Sequence, residues 1–81
     1  AIRRSSRPEA LVALISLSRD AVPELREWAT FALGSQLPLV DAPEIRAALA
    51  GRLVDSREAV RDEATVGLGL RGDPRAIGPL K

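Results

Sequence analysis

The sequence contains no cysteine and no histidine. The first absence excludes disulfides, thiolate nucleophiles and sulfur-ligated metals. The second removes the commonest general base and the commonest metal ligand. The lack of cysteine suits a reducing compartment, and a cytoplasmic protein is the expectation. Aromatics are scarce as well: only Trp28 and Phe31. A lone globule of 81 residues would usually want more large side chains, or staples. No apolar run is long enough to span a bilayer. The basic N-terminus is not followed by a signal-peptide core and cleavage site. Methionine is missing too, so the chain reads as a piece of something longer or a trimmed product. Net charge is only +1, from 12 basic and 11 acidic residues, which argues against nucleic acid. Lys81 is the single lysine. An arginine-rich set suits fixed, bidentate pairing with carboxylates, and a GC-rich genome would explain the bias as well.

What is present is a repeat. Asp20 to Gly34 reads D-A-V-P-E-L-R-E-W-A-T-F-A-L-G, and Asp55 to Gly69 reads D-S-R-E-A-V-R-D-E-A-T-V-G-L-G. The offset is 35 at both ends (55 − 20 and 69 − 34), with no gap. Asp, Arg, Ala, Thr, Leu and Gly coincide, while Leu25 meets Val60, Glu27 meets Asp62 and Phe31 meets Val66. A helical unit recurring at this period marks a stacked-repeat protein.

Taken in order, residues 1–7 are a basic lead-in or the remnant of an earlier helix. A capping-box pattern of Ser6 and Glu9 opens a helix over about Pro8 to Ser18. Leu11, Val12, Leu14, Ile15 and Leu17 wrap most of it, which predicts burial on more than one side. Asp20 and Pro23 open a second helix to about Leu33, ended by Gly34. Its stripe is Leu25, Trp28, Ala29 and Ala32. Asp41 with Glu44 predicts a third helix over 43–54, with Ile45, Ala48, Leu49 and Leu53 on one face. Asp55 with Glu58 predicts a fourth, about Ser56 to Arg71. Gly72 ends it, Asp73 caps, and Pro74 opens a fifth. Gly67 and Gly69 inside the fourth helix predict close helix packing. The connection after Gly34 is four residues longer than the one after Gly69, a surface elaboration.

The run D-S-R-E-A-V-R-D-E-A, followed by G-L-G-L-R-G-D-P-R-A-I-G-P-L, resembles the HEAT repeat, in particular the short bacterial form called PBS-lyase HEAT-like. Residues 20–34 resemble its first half, and S-Q-L-P-L-V-D-A-P departs from its tight G-D-P turn. The resemblance covers about residues 8–81. It implies an all-α fold, an α-α superhelix or HEAT-like solenoid of about two repeats and five helices. The divisions are a half repeat at 8–19, a repeat at 20–54 and a truncated repeat at 55–81. It also implies a ladder between neighbouring repeats, which maps onto Asp20, Arg26, Asp55 and Arg61. An Arg one turn into a helix among apolar neighbours needs a carboxylate, and the next repeat supplies one.

Candidate chemistry is thin. Asp55, Glu58 and Asp62 share a face, but Arg57 and Arg61 interleave and caps explain two of them, so no metal or other cofactor is expected. No carboxylate pair sits in a cleft that would separate its pKa values, and no base activates a Ser or Thr. A non-catalytic chain is the expectation. Arg3, Arg4 and Arg7 read as a solvated tail rather than a phosphate site. Arg46, Arg52 and Arg75 project from the second helices of the pairs, the layer that the resemblance puts on the inner surface. They could meet an acidic partner, and ordinary solvation is the commoner fate. Trp28 has Glu63 as its counterpart. It is either an interface anchor or, the favoured reading, packed under the longer loop against Leu37, Leu39 or Val40. The expected function is a protein-binding scaffold that uses its second-helix layer and long loop. Rival readings are nucleic-acid binding by a basic inner face and an accessory role to a bilin lyase. Uncapped ends predict self-association of the fragment.

Overall fold

A computed structural model describes residues 6–36 and 40–77. Within them lie four α-helices and no strand: α1 (Ser6–Leu17), α2 (Pro23–Ser35), α3 (Pro43–Arg52) and α4 (Glu58–Leu70). The fifth helix expected from Pro74 is a single 3-10 turn, Pro74–Ala76, closed by Ala76 N–H to Asp73 O and Ile77 N–H to Pro74 O. Residues 78–81 lie outside the described part, as do 1–5 and 37–39.

The starts of α2, α4 and the 3-10 turn share one device. Asp20, Asp55 and Asp73 each accept, on Oδ1, the N–H of the residue two positions on, at 2.9 Å. This turn aims the chain into the next element. It replaces the capping box expected at Asp55 and Glu58: the residues before α2 and α4 are Val22 and Arg57, with no side-chain cap. Asp41 is not a cap either. Ala42 precedes α3, and the Asp41 carboxylate turns to Arg46, where a charge-assisted pair outweighs a backbone N–H. Helix α1 begins at Ser6, the residue expected to cap it.

The helices form two layers. Helices α2 and α4 lie side by side and run the same way, since Arg26 meets Asp55 at their starts and Arg71 meets the α2 carbonyls at their ends. Helix α1 packs on α2, and α3 packs on α4 and α2. Leu33, Ile45, Ala48, Leu49, Leu68 and Ala76 form the core between layers, with Leu11, Leu14 and Ile15 of α1 against it. Helix α1 is thus partly covered rather than buried all round, and its Val12 is 67% exposed.

Gly34 does not end α2. It lies inside the helix and is buried, because Gly67 of α4 passes against it. A Cβ on Gly67 would stand 2.6 Å from Gly34 Cα, so the two backbones touch only because both side chains are absent. Gly69 serves no such contact, since a Cβ there would meet only the Ala76 methyl at 4.0 Å. Helix α4 does end at glycine. Gly72 has φ of 71°, and the pairs Asp73 N–H to Leu68 O and Gly72 N–H to Gly69 O close the α4 terminus. The first repeat has Leu37 where this glycine stands.

Candidate functional site

Two polar constellations join the repeats. The first is at the helix starts. Arg26 donates from Nε to Asp55 Oδ2 at 2.9 Å and from Nη2 to Oδ1 at 3.1 Å, a bidentate pair. Arg52 adds a third bond to Oδ2 at 3.0 Å, and the Arg57 N–H a fourth. The Asp55 side chain is only 3% exposed. Burial alone would push its carboxyl up. The Arg26 and Arg57 hydrogen bonds, with the Arg26 and Arg52 charges, outweigh that and leave it below the usual range. Asp20 and Arg61 stand at opposite ends of this row. The Asp20 carboxylate accepts the Val22 N–H, and Arg61 Nη1 donates to the Asp55 carbonyl at 2.8 Å.

The second constellation centres on Arg71, which the sequence reading passed over. Its side chain is 1% exposed. Nη1 donates to the carbonyls of Gly34 at 2.6 Å and Gly67 at 2.7 Å. Nη2 donates to Leu33 O at 2.7 Å and to Val40 O. Arg71 thereby satisfies the last-turn carbonyls of α2, which lacks a glycine stop, and ties down the far end of the long connection. Burial pulls its guanidinium down from the ordinary value, and the Asp41 carboxylate at 3.6 Å opposes this. A lone Arg just before G-D-P was the available signal.

Beside it, Arg46 binds Asp41 with two bonds of 2.7 and 2.8 Å, Asp73 at 3.2 Å and the Arg71 carbonyl at 2.9 Å. Arg75 grips the same Asp73 at 2.8 and 2.9 Å. Hydrogen bonds from the Arg75 side chain and N–H hold Asp73 well below the carboxylate range, with Arg46 adding to them. These residues line an open notch of about 480 Å³ between the start of α3 and the 3-10 turn. Arg46, Arg52 and Arg75, the expected recognition patch, are therefore each held by carboxylates of their own chain. Arg3 and Arg4 lie outside the described residues.

Trp28 is an exposed residue rather than a buried one. It is 54% exposed on the side of α2 away from α4, near Leu25 and Phe31. Leu37 and Leu39 lie outside the described residues, and Val40 packs on the core instead, where Arg71 holds its carbonyl. Between α1 and α3 runs an apolar groove of about 310 Å³, lined by Leu11, Val12, Ile15, Ala42, Ile45 and, at its rim, Glu44. No described helix is long and apolar enough to cross a membrane.

Comparison with known proteins agrees with this arrangement. The chain is 37% identical over 67 residues to Protein YibA of Escherichia coli K12, and equally to Protein YibA of Escherichia coli O157:H7. The match takes in 83% of this chain but 23% of those relatives' length. No solved structure matches it significantly. A family model described as HEAT repeats matches residues 2–81. A match of that extent, laid over helices already seen to repeat, means that this chain belongs to the HEAT-repeat family.

Proposed function

We propose that the chain is a non-catalytic segment of a HEAT-like solenoid that holds a protein partner. HEAT repeats generally mediate protein–protein interaction, which supports this reading. The observation that carries it is the groove between α1 and α3. Its floor is anchored in the core, with Ile45 1% exposed, while Val12 stands open at its edge. A stiff apolar wall with an exposed rim suits recognition of an amphipathic segment. The short G-D-P turn at Gly72, Asp73 and Pro74 favours the bacterial PBS-lyase HEAT-like subfamily, with repeats at 20–54 and 55–81. The lack of cysteine favours the cytoplasm. DNA binding by a basic inner face is the weaker reading, because Arg46, Arg52 and Arg75 are already committed to carboxylates.

The test is selection of displayed helical peptides against the chain, with counter-selection on Val12→Glu and Glu44→Arg. Enriched peptides should be apolar with basic flanks, and should lose binding to Val12→Glu. Binders indifferent to both substitutions would refute the groove. A salt-sensitive shift of duplex DNA would favour the rival, and an absorbance change on mixing with a bilin would favour the lyase-accessory role.

A further inference from the structure

On the side of α2 and α4 that faces away from α1 and α3, each repeat sets an apolar side chain in water at the same position. Phe31 is 43% exposed and Val66 is 50% exposed, and they are one 35-residue step apart (66 − 31). Ala29 and Leu33 stand two residues to either side of Phe31, Ala64 and Leu68 likewise about Val66, and all four are buried. Two residues along a helix turn the side chain by about 200°, so Phe31 and Val66 point away from the core. The α2–α4 junction runs through Thr30 and Gly34 on one helix and Gly67 on the other. A further repeat at either end would use the matching residues, Thr65 and Gly69 or Ala32. Phe31 and Val66 belong to neither set, so their side stays open however many repeats flank this pair.

Beside this apolar row runs an acidic one. One turn toward the helix starts, Glu27 precedes Phe31 and Asp62 precedes Val66, each by four residues and so on the same side. Glu24 and Glu63 widen the acidic row, and Leu70, four residues after Val66 and 55% exposed, extends the apolar one. The cation among these carboxylates is Arg57, 3.4 Å from Glu27 and 4.0 Å from Glu24. Among the described residues no cation pairs with Asp62 or Glu63. Burial, then the charges of Glu27 and Asp62, push the Glu63 carboxyl up. The face thus combines exposed apolar groups with carboxylates short of partners.

We propose that this face of α2 and α4 docks a basic amphipathic helix, with its apolar side chains on Phe31, Val66 and Leu70 and its cations on Glu27, Asp62 and Glu63. Charge selects the occupant. An acidic segment or an anionic surface would meet four carboxylates, and an uncharged apolar one would bury Glu63 deeper among like charges. A second copy presenting the same face would set acid against acid. Spacing suits a helix laid across the repeats. Helices packed side by side lie about 8–10 Å apart, and one to two turns of an occupant rise about 5–11 Å. Apolar residues a turn or two apart therefore reach Phe31 and Val66 together, and cations along one flank of that stripe reach the acidic row. The site is on the opposite layer from the α1–α3 groove, so it stands or falls apart from the partner reading above.

The experiment titrates the whole chain into a dye-labelled helical peptide with leucine along one face and arginine along one flank of it, and into the same peptide with glutamate for arginine. Binding is read by fluorescence anisotropy. The arginine peptide should bind at least about tenfold tighter, and added salt should shrink the difference. Phe31→Ser and Val66→Ser remove exposed side chains and leave the core alone, and each should weaken binding about tenfold. Asp62→Asn with Glu63→Gln should narrow the preference for arginine over glutamate. Equal binding of the two peptides overturns the proposal. So does no binding of the arginine peptide at about 1 mM, or binding indifferent to both serine variants. If Val12→Glu rather than Phe31→Ser abolishes binding, the peptide sits in the α1–α3 groove and the proposal is overturned. A peptide-free dimer that Phe31→Ser abolishes would assign the face to a second copy, which overturns it as well. If a serine variant costs the helical circular dichroism, Val66→Lys replaces it, lysine being the better helix former. Binding of the arginine peptide should then fall at least as far, and unchanged binding overturns the proposal.

Discussion

Replacing Gly67 by alanine sets two effects of known size against each other. Alanine is the better helix former by about 1 kcal/mol in a helix interior. The new Cβ, however, would lie 2.6 Å from Gly34 Cα and 3.0 Å from Leu49 Cδ1. To reach an ordinary 3.4 Å contact, α2 and α4 must part by 3.4 − 2.6 = 0.8 Å, and the obstacle is backbone that cannot swing aside. Parting them also stretches the Arg71 bonds to Gly34 and Leu33, which lie at the same end. Overpacking costs about 1–3 kcal/mol, and an unyielding backbone obstacle puts this case in the upper part, about 2–3 kcal/mol, so the steric term wins and the net loss is about 1–2 kcal/mol. For a domain this small that lowers Tm by about 5–15 °C. Gly69 is the control, two residues on in the same helix. Its Cβ would meet only Ala76 at 4.0 Å, so Gly69→Ala should keep the propensity gain and raise Tm by a few degrees. Both are read by thermal melts at 222 nm in dilute solution, where association is negligible. If Gly67→Ala melts as high as Gly69→Ala, the backbones do not touch and the packing account fails.

Two more outcomes follow from the buried polar groups. Arg71→Met should cost about 2–4 kcal/mol in urea unfolding, since it strands the carbonyls of Leu33, Gly34, Gly67 and Val40. Arg71→Lys should rescue little, because an ammonium cannot span four carbonyls as a planar fork does, and full rescue would argue against the capping role. Asp55 lies below its unfolded pKa of about 3.9, so its contribution is complete above that pH and fades as pH falls through the folded value. Asp41 and Asp73 carry the same sign. Glu63, raised by burial and then by Glu27 and Asp62, carries the opposite one. Asp55→Asn should flatten the acid limb of a stability–pH curve and cost about 3 kcal/mol near neutrality by leaving Arg26 unpaired. An unchanged acid slope would remove Asp55 from that account.

Much of this protein was legible before any coordinates. The 35-residue step is a property of the chain, and amphipathic spacing is local, so four helices and their pairing could be read from it. The Asp and Arg of each repeat could be matched as well, because equal spacing puts equal groups at equal heights. Tertiary structure alone decided the rest. Gly34 carries the signal of a helix stop, yet it is a contact point, and that depends on how closely α4 approaches. Arg71 stands alone before G-D-P in the sequence, and the unfilled carbonyls at the end of α2 make it a buried cap. Trp28 looked destined for the loop, but it faces the side of α2 that no described helix covers. Asp41 and Arg46 are five residues apart in the chain, yet what completes their cluster is Asp73 from the next repeat. Periodicity tells which residues share a face. Which unpaired group that face meets is set by the distance and height of a neighbouring helix, and no short stretch of sequence encodes those.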